Sequence, residues 1–173
     1  MAKLIKNRTV IDDAWTTLFL AEGETATGVA LPAGPLLVPL AVWQARRSEL
    51  QGRGEALGVW LGPADDAAAI APDLALFDVV AIHFPVFRDG RGYSTAALLR
   101  SRHGYRGELR AIGDVLRDQL HYMMRVGFDA FAIRADRSIE EALQSLGDFS
   151  EAYQASWNQP QPLFRRRAAQ EAA

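Results

Sequence analysis

Apolar positions along this chain gather into short runs separated by longer mixed segments, and that rhythm sets the expected class. The runs are Leu36–Leu40, Leu57–Leu61, Val79–Phe84, Glu108–Ile112 and Ala130–Ile133. Short, mostly apolar runs separated by helix-compatible segments predict parallel strands joined by crossover helices. The helix signals agree with this spacing. Trp43, Ala45 and Leu50 punctuate Ala41–Gln51, and Pro63 with Asp65 and Asp66 suits a helix start. Ser94 precedes Thr95–His103, which Gly104 can close. Asp114 is placed to cap Val115–Val126, where Leu116, Leu120 and Met124 form an i, i+4, i+8 stripe and Gly127 supplies the stop. Ser138 and Glu141 have capping-box spacing.

The fold class expected from this pattern is α/β: an open, mostly parallel sheet of about five strands with helices on both faces, with a partial β/α barrel as the alternative. Residues 36–150 are expected to form this single domain. Residues 1–35 read as a small irregular N-terminal flap or hairpin, because Trp15, Leu18, Phe19 and Leu20 give way to Gly23, Gly28, Pro32, Gly34 and Pro35. Residues 151–173, rich in Gln, Ala, Pro and Arg, predict a mobile C-terminal tail that Leu163 and Phe164 can dock.

Composition narrows the chemistry. The 173 residues contain no cysteine, which excludes disulfides, thiolate zinc sites, cysteine-ligated clusters and a cysteine nucleophile within this chain. A net charge of -2 argues against a general nucleic-acid binder, which needs a broad basic face. The amino-terminal residues Met1–Trp15 carry no apolar signal core, and no apolar run reaches the ~20 residues of a membrane span. A soluble cytoplasmic protein is expected, and the sequence leaves self-association open.

Charge is uneven along the chain. Between Arg88 and Arg110 stand six arginines (Arg88, Arg91, Arg100, Arg102, Arg106 and Arg110) against Asp89 and Glu108, a local balance of +4. Seventeen of the nineteen basic residues are arginine, so a compositional bias accounts for many of them, and only those near strand ends point to a site. The segment Phe84–Ser94 fits that position. Gly90 and Gly92 allow close backbone approach, Arg88 and Arg91 offer forked donors, and Tyr93 and Ser94 lead into a helix. Arg110, at the next strand end, is the third expected anion ligand, with Asp89, Asp114, Asp118 and Gln119 orienting the set. A phosphate, sulfate, sulfite or carboxylate is the expected ligand. The competing reading makes Asp89-Gly90 a turn, Asp114 a helix cap and the arginines ordinary ion pairs.

Other chemistries find little support. Gly90-Arg91-Gly92-Tyr93-Ser94-Thr95 starts as G-x-G but carries Thr95 where a dinucleotide fingerprint needs a small residue. NAD(P)H or flavin is therefore a cofactor the sequence allows without a fingerprint. His83, His103 and His121 share no metal-ligand spacing, so no metal is expected; His83 reads as a core residue and His121 as part of a solvated basic stripe with Arg117 and Arg125.

The chain resembles a bacterial family of unknown function that carries the label of an oxidoreductase involved in sulfite reduction and is encoded beside assimilatory sulfite reductase. The similarity runs from about Leu36 to Phe149. It is densest at Phe84-Pro85, Asp89–Ser94, Leu99-Arg100, Gly107–Ala111, Gly113–Leu116, Asp118-Gln119 and Gly127–Phe131. The resemblance implies a process, the reduction of sulfite for assimilation, and brings no catalytic residues. Three roles follow as expectations: an accessory protein with an anion-binding crevice, an NAD(P)H- or flavin-dependent oxidoreductase of the same pathway, or a partner-binding module for sulfite reductase or another sulfate-assimilation enzyme.

Overall fold

The computed structural model describes residues 2–171. Its centre is one sheet of eight strands in the order β2-β1-β8-β7-β6-β5-β4-β3. Strands β3 (Thr16–Thr17), β4 (Leu36–Pro39), β5 (Leu57–Leu61), β6 (Val79–Phe84), β7 (Glu108–Gly113) and β8 (Ala130–Phe131) run parallel as successive neighbours. Strand β1 (Lys3–Lys6) pairs antiparallel with β8, and β2 (Thr9–Asp12) pairs antiparallel with β1. The sheet is therefore larger than the expected five strands and is partly antiparallel. The difference lies in residues 3–17, whose short polar-interrupted strands gain their pairing from distant partners and give no local apolar run.

The helices are α1 (Leu40–Ala45), α2 (Arg47–Gln51), α3 (Arg91–Ser101), α4 (Arg117–Val126), α5 (Ile139–Ser145) and α6 (Leu163–Glu171), with a 3-10 helix at Ala67–Leu76. Helices were expected on both faces of the sheet, and the packing corrects this. Buried residues of α1 to α5, among them Trp43, Leu50, Ala96, Leu99, Leu120, Met123 and Ala142, join one cluster with Val38, Val59, Val80, Ile82, Leu109 and Ala111 of the strands. The opposite sheet face carries a small cluster of Leu37, Val79, Ala81 and Ile112, against which Trp15, Trp60 and Ala132 pack. The cause is topological. Each parallel strand is laid beside the preceding one in a constant direction, and right-handed crossovers then place every connecting helix on the same side. Helices on both faces require the strand order to reverse, and here it does not. The outcome is a curled, open half-barrel, close to the alternative of a partial β/α barrel.

Local rules explain several boundaries. Gly127 ends α4 in the left-handed conformation with φ 116°, and Ser138 Oγ accepts from the Glu141 N–H at the start of α5. Two expected caps differ. Helix α3 starts at Arg91 after Gly90, so Ser94 lies within it rather than before it. Helix α4 starts at Arg117 after Leu116, two residues later than the Asp114 cap would set it, because Asp114 bonds elsewhere. Asn7 and Arg8 close the β1–β2 hairpin with φ 48° and 61°, and a side chain in this region costs about 1–2 kcal/mol relative to the right-handed one.

Gly113 is the glycine whose absent side chain the sheet needs. Its φ is 96°, and a Cβ there would strike the Phe84 carbonyl oxygen and the His83 ring. Gly113→Ala is expected to lower unfolding free energy by about 1–3 kcal/mol, read as a lower urea midpoint at unchanged m. Gly90→Ala, where the nearest neighbour of a new Cβ is Tyr93 at 3.7 Å, is expected to stay within about 0.5 kcal/mol of the parent.

Candidate functional site

The carboxyl ends of β6, β7 and β8 bring three loops together. Asp114, just past β7, is their joint: its Oδ2 accepts from the Phe87 N–H at 2.8 Å, its Oδ1 accepts from Arg134 Nη1 at 2.6 Å, and its own N–H donates to the Phe84 carbonyl at 2.7 Å. Arg134, beyond β8, also binds Asp136 through Nε at 2.6 Å. Gln119, buried in the first turn of α4, donates to the Phe87 carbonyl at 3.3 Å and accepts from the Leu116 N–H at 2.9 Å. Asp114 thus joins the three loops at this end, and its guanidinium partner is Arg134, a residue the sequence did not single out.

The three expected anion ligands do not converge. Arg110 lies in mid-strand on the face opposite Leu109 and Ala111. It is 1% exposed, bonded to Glu108 Oε1 at 2.7 Å through Nε and Nη2 and to both oxygens of Asp13 at 3.1 Å through Nη1. Lys6 completes the group, 2.7 Å from Glu108. A two-residue period explains the placement: neighbours of Arg110 pack under the helices, so Arg110 must face the other way.

At the β6 end, Arg91 and Asp89 form a closed unit. Asp89 accepts from the Arg91 N–H at 3.2 Å and from its guanidinium at 3.0 and 2.6 Å, which holds the Asp89 carboxyl below its ordinary range. The carboxylate therefore occupies the start of α3, where a bound oxyanion was expected. Gly92 uses its missing side chain to seat α3 on Phe84 and Ile82, so its close approach is to protein. Tyr93 packs edge-on against Tyr122 with centroids 5.1 Å apart, and Ser94 is exposed. Asp118 is exposed beside Arg117 at 3.5 Å and lines a cavity of about 340 Å³ with Arg137 and Glu141. That cavity carries both signs of charge and includes none of the three expected arginines.

Arg88 remains. It is exposed, and no carboxylate partner for it is found among the described residues. Its neighbours Val86 and Phe87 are 46% and 48% exposed. Val86 accepts from the Asp89 N–H at 3.0 Å, so the tip is a turn held at Phe87 by Asp114 and Gln119. On the helix-free face, His83 stacks near Phe19 and Trp60 with centroids 5.4 Å away, and burial pushes its imidazole below the ordinary range. Among the described residues no group of three or more His, Asp or Glu side chains is placed to hold a metal ion, and no helix is long and apolar enough to cross a membrane.

The chain belongs to the bacterial family described as "Bacterial protein of unknown function (DUF934)", whose model matches residues 58–164. No curated protein and no solved structure matches it.

The geometry separates a structural arginine from an available one. Arg110→Ala leaves Glu108 and Asp13 without their buried counter-charge and is expected to cost about 3–5 kcal/mol in chemical denaturation. Arg88→Ala is expected to change stability by no more than about 0.5 kcal/mol in the same assay.

Proposed function

We propose that this member of the family serves assimilatory sulfite reduction as an accessory protein, and that it docks a protein partner through the loop Val86–Arg88. The observation that carries the reading is Arg88 itself: an exposed guanidinium with no carboxylate partner among the described residues, flanked by two half-exposed apolar side chains. Arginine among apolar side chains is the composition of an interface centre. The hydrogen bonds from Asp114 and Gln119 hold the loop backbone in place, which reduces the ordering cost on binding.

The process rests on the resemblance of residues 36–149 to the family tied to sulfite reduction. Sulfite reductase is the partner this suggests, because siroheme and iron–sulfur chemistry needs cysteine ligands that this chain lacks. The anionic group met by Arg88 is then a carboxylate on that partner.

A second reading keeps a free oxyanion as ligand. In its favour, the backbone N–H and guanidinium of Arg91 already hold one carboxylate, that of Asp89, the residue next to Arg88.

Purified protein and purified sulfite reductase from the same organism are expected to associate in size-exclusion chromatography and calorimetry. Arg88→Glu and Phe87→Ser should each weaken that association by at least about tenfold while leaving Tm unchanged. Unchanged association in both variants would remove the loop from the function. A Tm rise with sulfite or sulfate that Arg88→Ala abolishes, without reductase binding, would move the reading to the free oxyanion, and a rise with NADPH or a flavin would move it to an oxidoreductase.

A further inference from the structure

We propose that the opposite end of the sheet holds a binding site for a small organic oxyanion, a phosphate- or sulfate-class head group on a compact apolar body. It uses none of the Val86–Arg88 loop and is independent of the docking reading. Two adjoining cavities, of about 300 and 240 Å³, share Arg8, Met124 and Asn158 as walls. The first is bounded by Phe128, Phe131 and Trp157, and the second by His121 and Arg125. One cavity thus offers apolar and aromatic surface, the other basic groups, and Arg8 stands between them.

Arg8 is the residue that needs an explanation. It occupies the second position of a two-residue hairpin loop with φ 61°, where glycine is favoured, and Asn7 precedes it with φ 48°. The turn is fixed by the Asn7 N–H donating to the Asp129 carbonyl at 3.0 Å. A long charged side chain kept in that conformation is the kind of local strain that accompanies function. Arg8 is exposed and has no ion-pair partner among the described residues.

The surrounding charges leave the site positive. Asp129 is paired with Arg100 at 2.8 Å and Glu151 with Arg166 at 2.6 Å, so the acids that line these cavities are already engaged. Arg125 has only the Gln154 carbonyl, at 3.4 Å. Its place in the last turn of α4 suits the helix's negative end without any ligand, whereas Arg8 has no such local reason for its place. The second independent sign is His121. Its Nδ1 is buried and has no hydrogen-bond partner among the described residues, while its ring lies against Phe149 with centroids 4.6 Å apart. Burial first, then Arg125 and Arg8, hold this imidazole below its ordinary range. An anion seated between Arg8 and Arg125 supplies the counter-charge that both guanidinium groups lack, beside the His121 ring that lines the same cavity. Asn158, which lines both cavities, adds an amide donor at the boundary.

Calorimetric titration of the full chain with phenyl phosphate, phenyl sulfate, inorganic phosphate and phenol tests this. Saturable binding of phenyl phosphate or phenyl sulfate, at least tenfold tighter than inorganic phosphate and with none for phenol, is expected. The Arg8→Gly variant places the favoured residue in the turn, so it should fold with equal or higher Tm and lose at least tenfold in affinity. Arg88→Ala should bind like the parent, and the His121 ring nitrogen shifts in NMR should move on titration. Absence of saturable binding by every anion, or equal affinity in Arg8→Gly, would overturn the proposal. Inorganic phosphate binding as tightly as phenyl phosphate would overturn its apolar half.

Discussion

The ionic group around Arg110 is the interaction on which the rest of the architecture depends. A guanidinium that is almost fully buried in the middle of a sheet is tolerable only when its charge and donors are matched, and here Glu108 and Asp13 match both. Asp13 comes from the segment that covers the helix-free face, so one ion pair fixes where that segment lies. Trp15 follows two residues later, over the Arg110 guanidinium at 5.9 Å, and Trp60 donates its indole N–H to the Leu18 carbonyl at 2.8 Å. The singly wound sheet leaves that face without a helix, and the charged pair with its flanking indoles takes the helix's place.

The same bookkeeping changes how the arginine-rich segment is understood. A surplus of positive charge along the sequence is not a surplus in space, because the fold recruits acids from elsewhere. Arg100 takes Asp129 at 2.8 Å and donates to the carbonyls of Gly127, Tyr105 and Gly107. Arg106 lies over the Trp157 ring at 4.6 Å. Of the six arginines, Arg100, Arg106 and Arg110 end as cross-braces between elements and Arg91 is held by Asp89, while Arg88 and Arg102 stay exposed, Arg88 beside apolar side chains.

Much of this fold is legible in the sequence, for reasons that mark where legibility stops. The runs Leu57–Leu61 and Val79–Phe84 are strands with those limits, since a strand buried on both faces writes itself as a continuous apolar run. Gly127 and Ser138 act through local geometry and were equally readable. Asp114 was not, because a carboxylate that can cap a helix can also be claimed by a distant arginine, and Arg134 lies 20 residues away. The place of Arg110 is written in its parity with Leu109 and Ala111, but treated as one apolar run Glu108–Ile112 hides that alternation. The orphaned Nδ1 of His121 has no sequence signal, because it arises from tertiary contacts, and the positive φ of Arg8 follows from a two-residue hairpin loop that carries no glycine to announce it.

The pairing of β1 with β8 has a consequence for how the chain reaches its final form. Ile5 sits opposite Phe131, and β8, the strand between β1 and the rest of the parallel ladder, comes last of the eight strands in chain order. Strand β1 can form its hairpin with β2 early, but its pairing with β8 must wait until Ala130–Phe131 has emerged, and loop-closure entropy makes such contacts late ones. Until then the helix-free face and the Arg110 charge lack their proper cover on one side. The vulnerable species during synthesis is thus a parallel ladder whose β8 edge still awaits the β1–β2 hairpin made well before it.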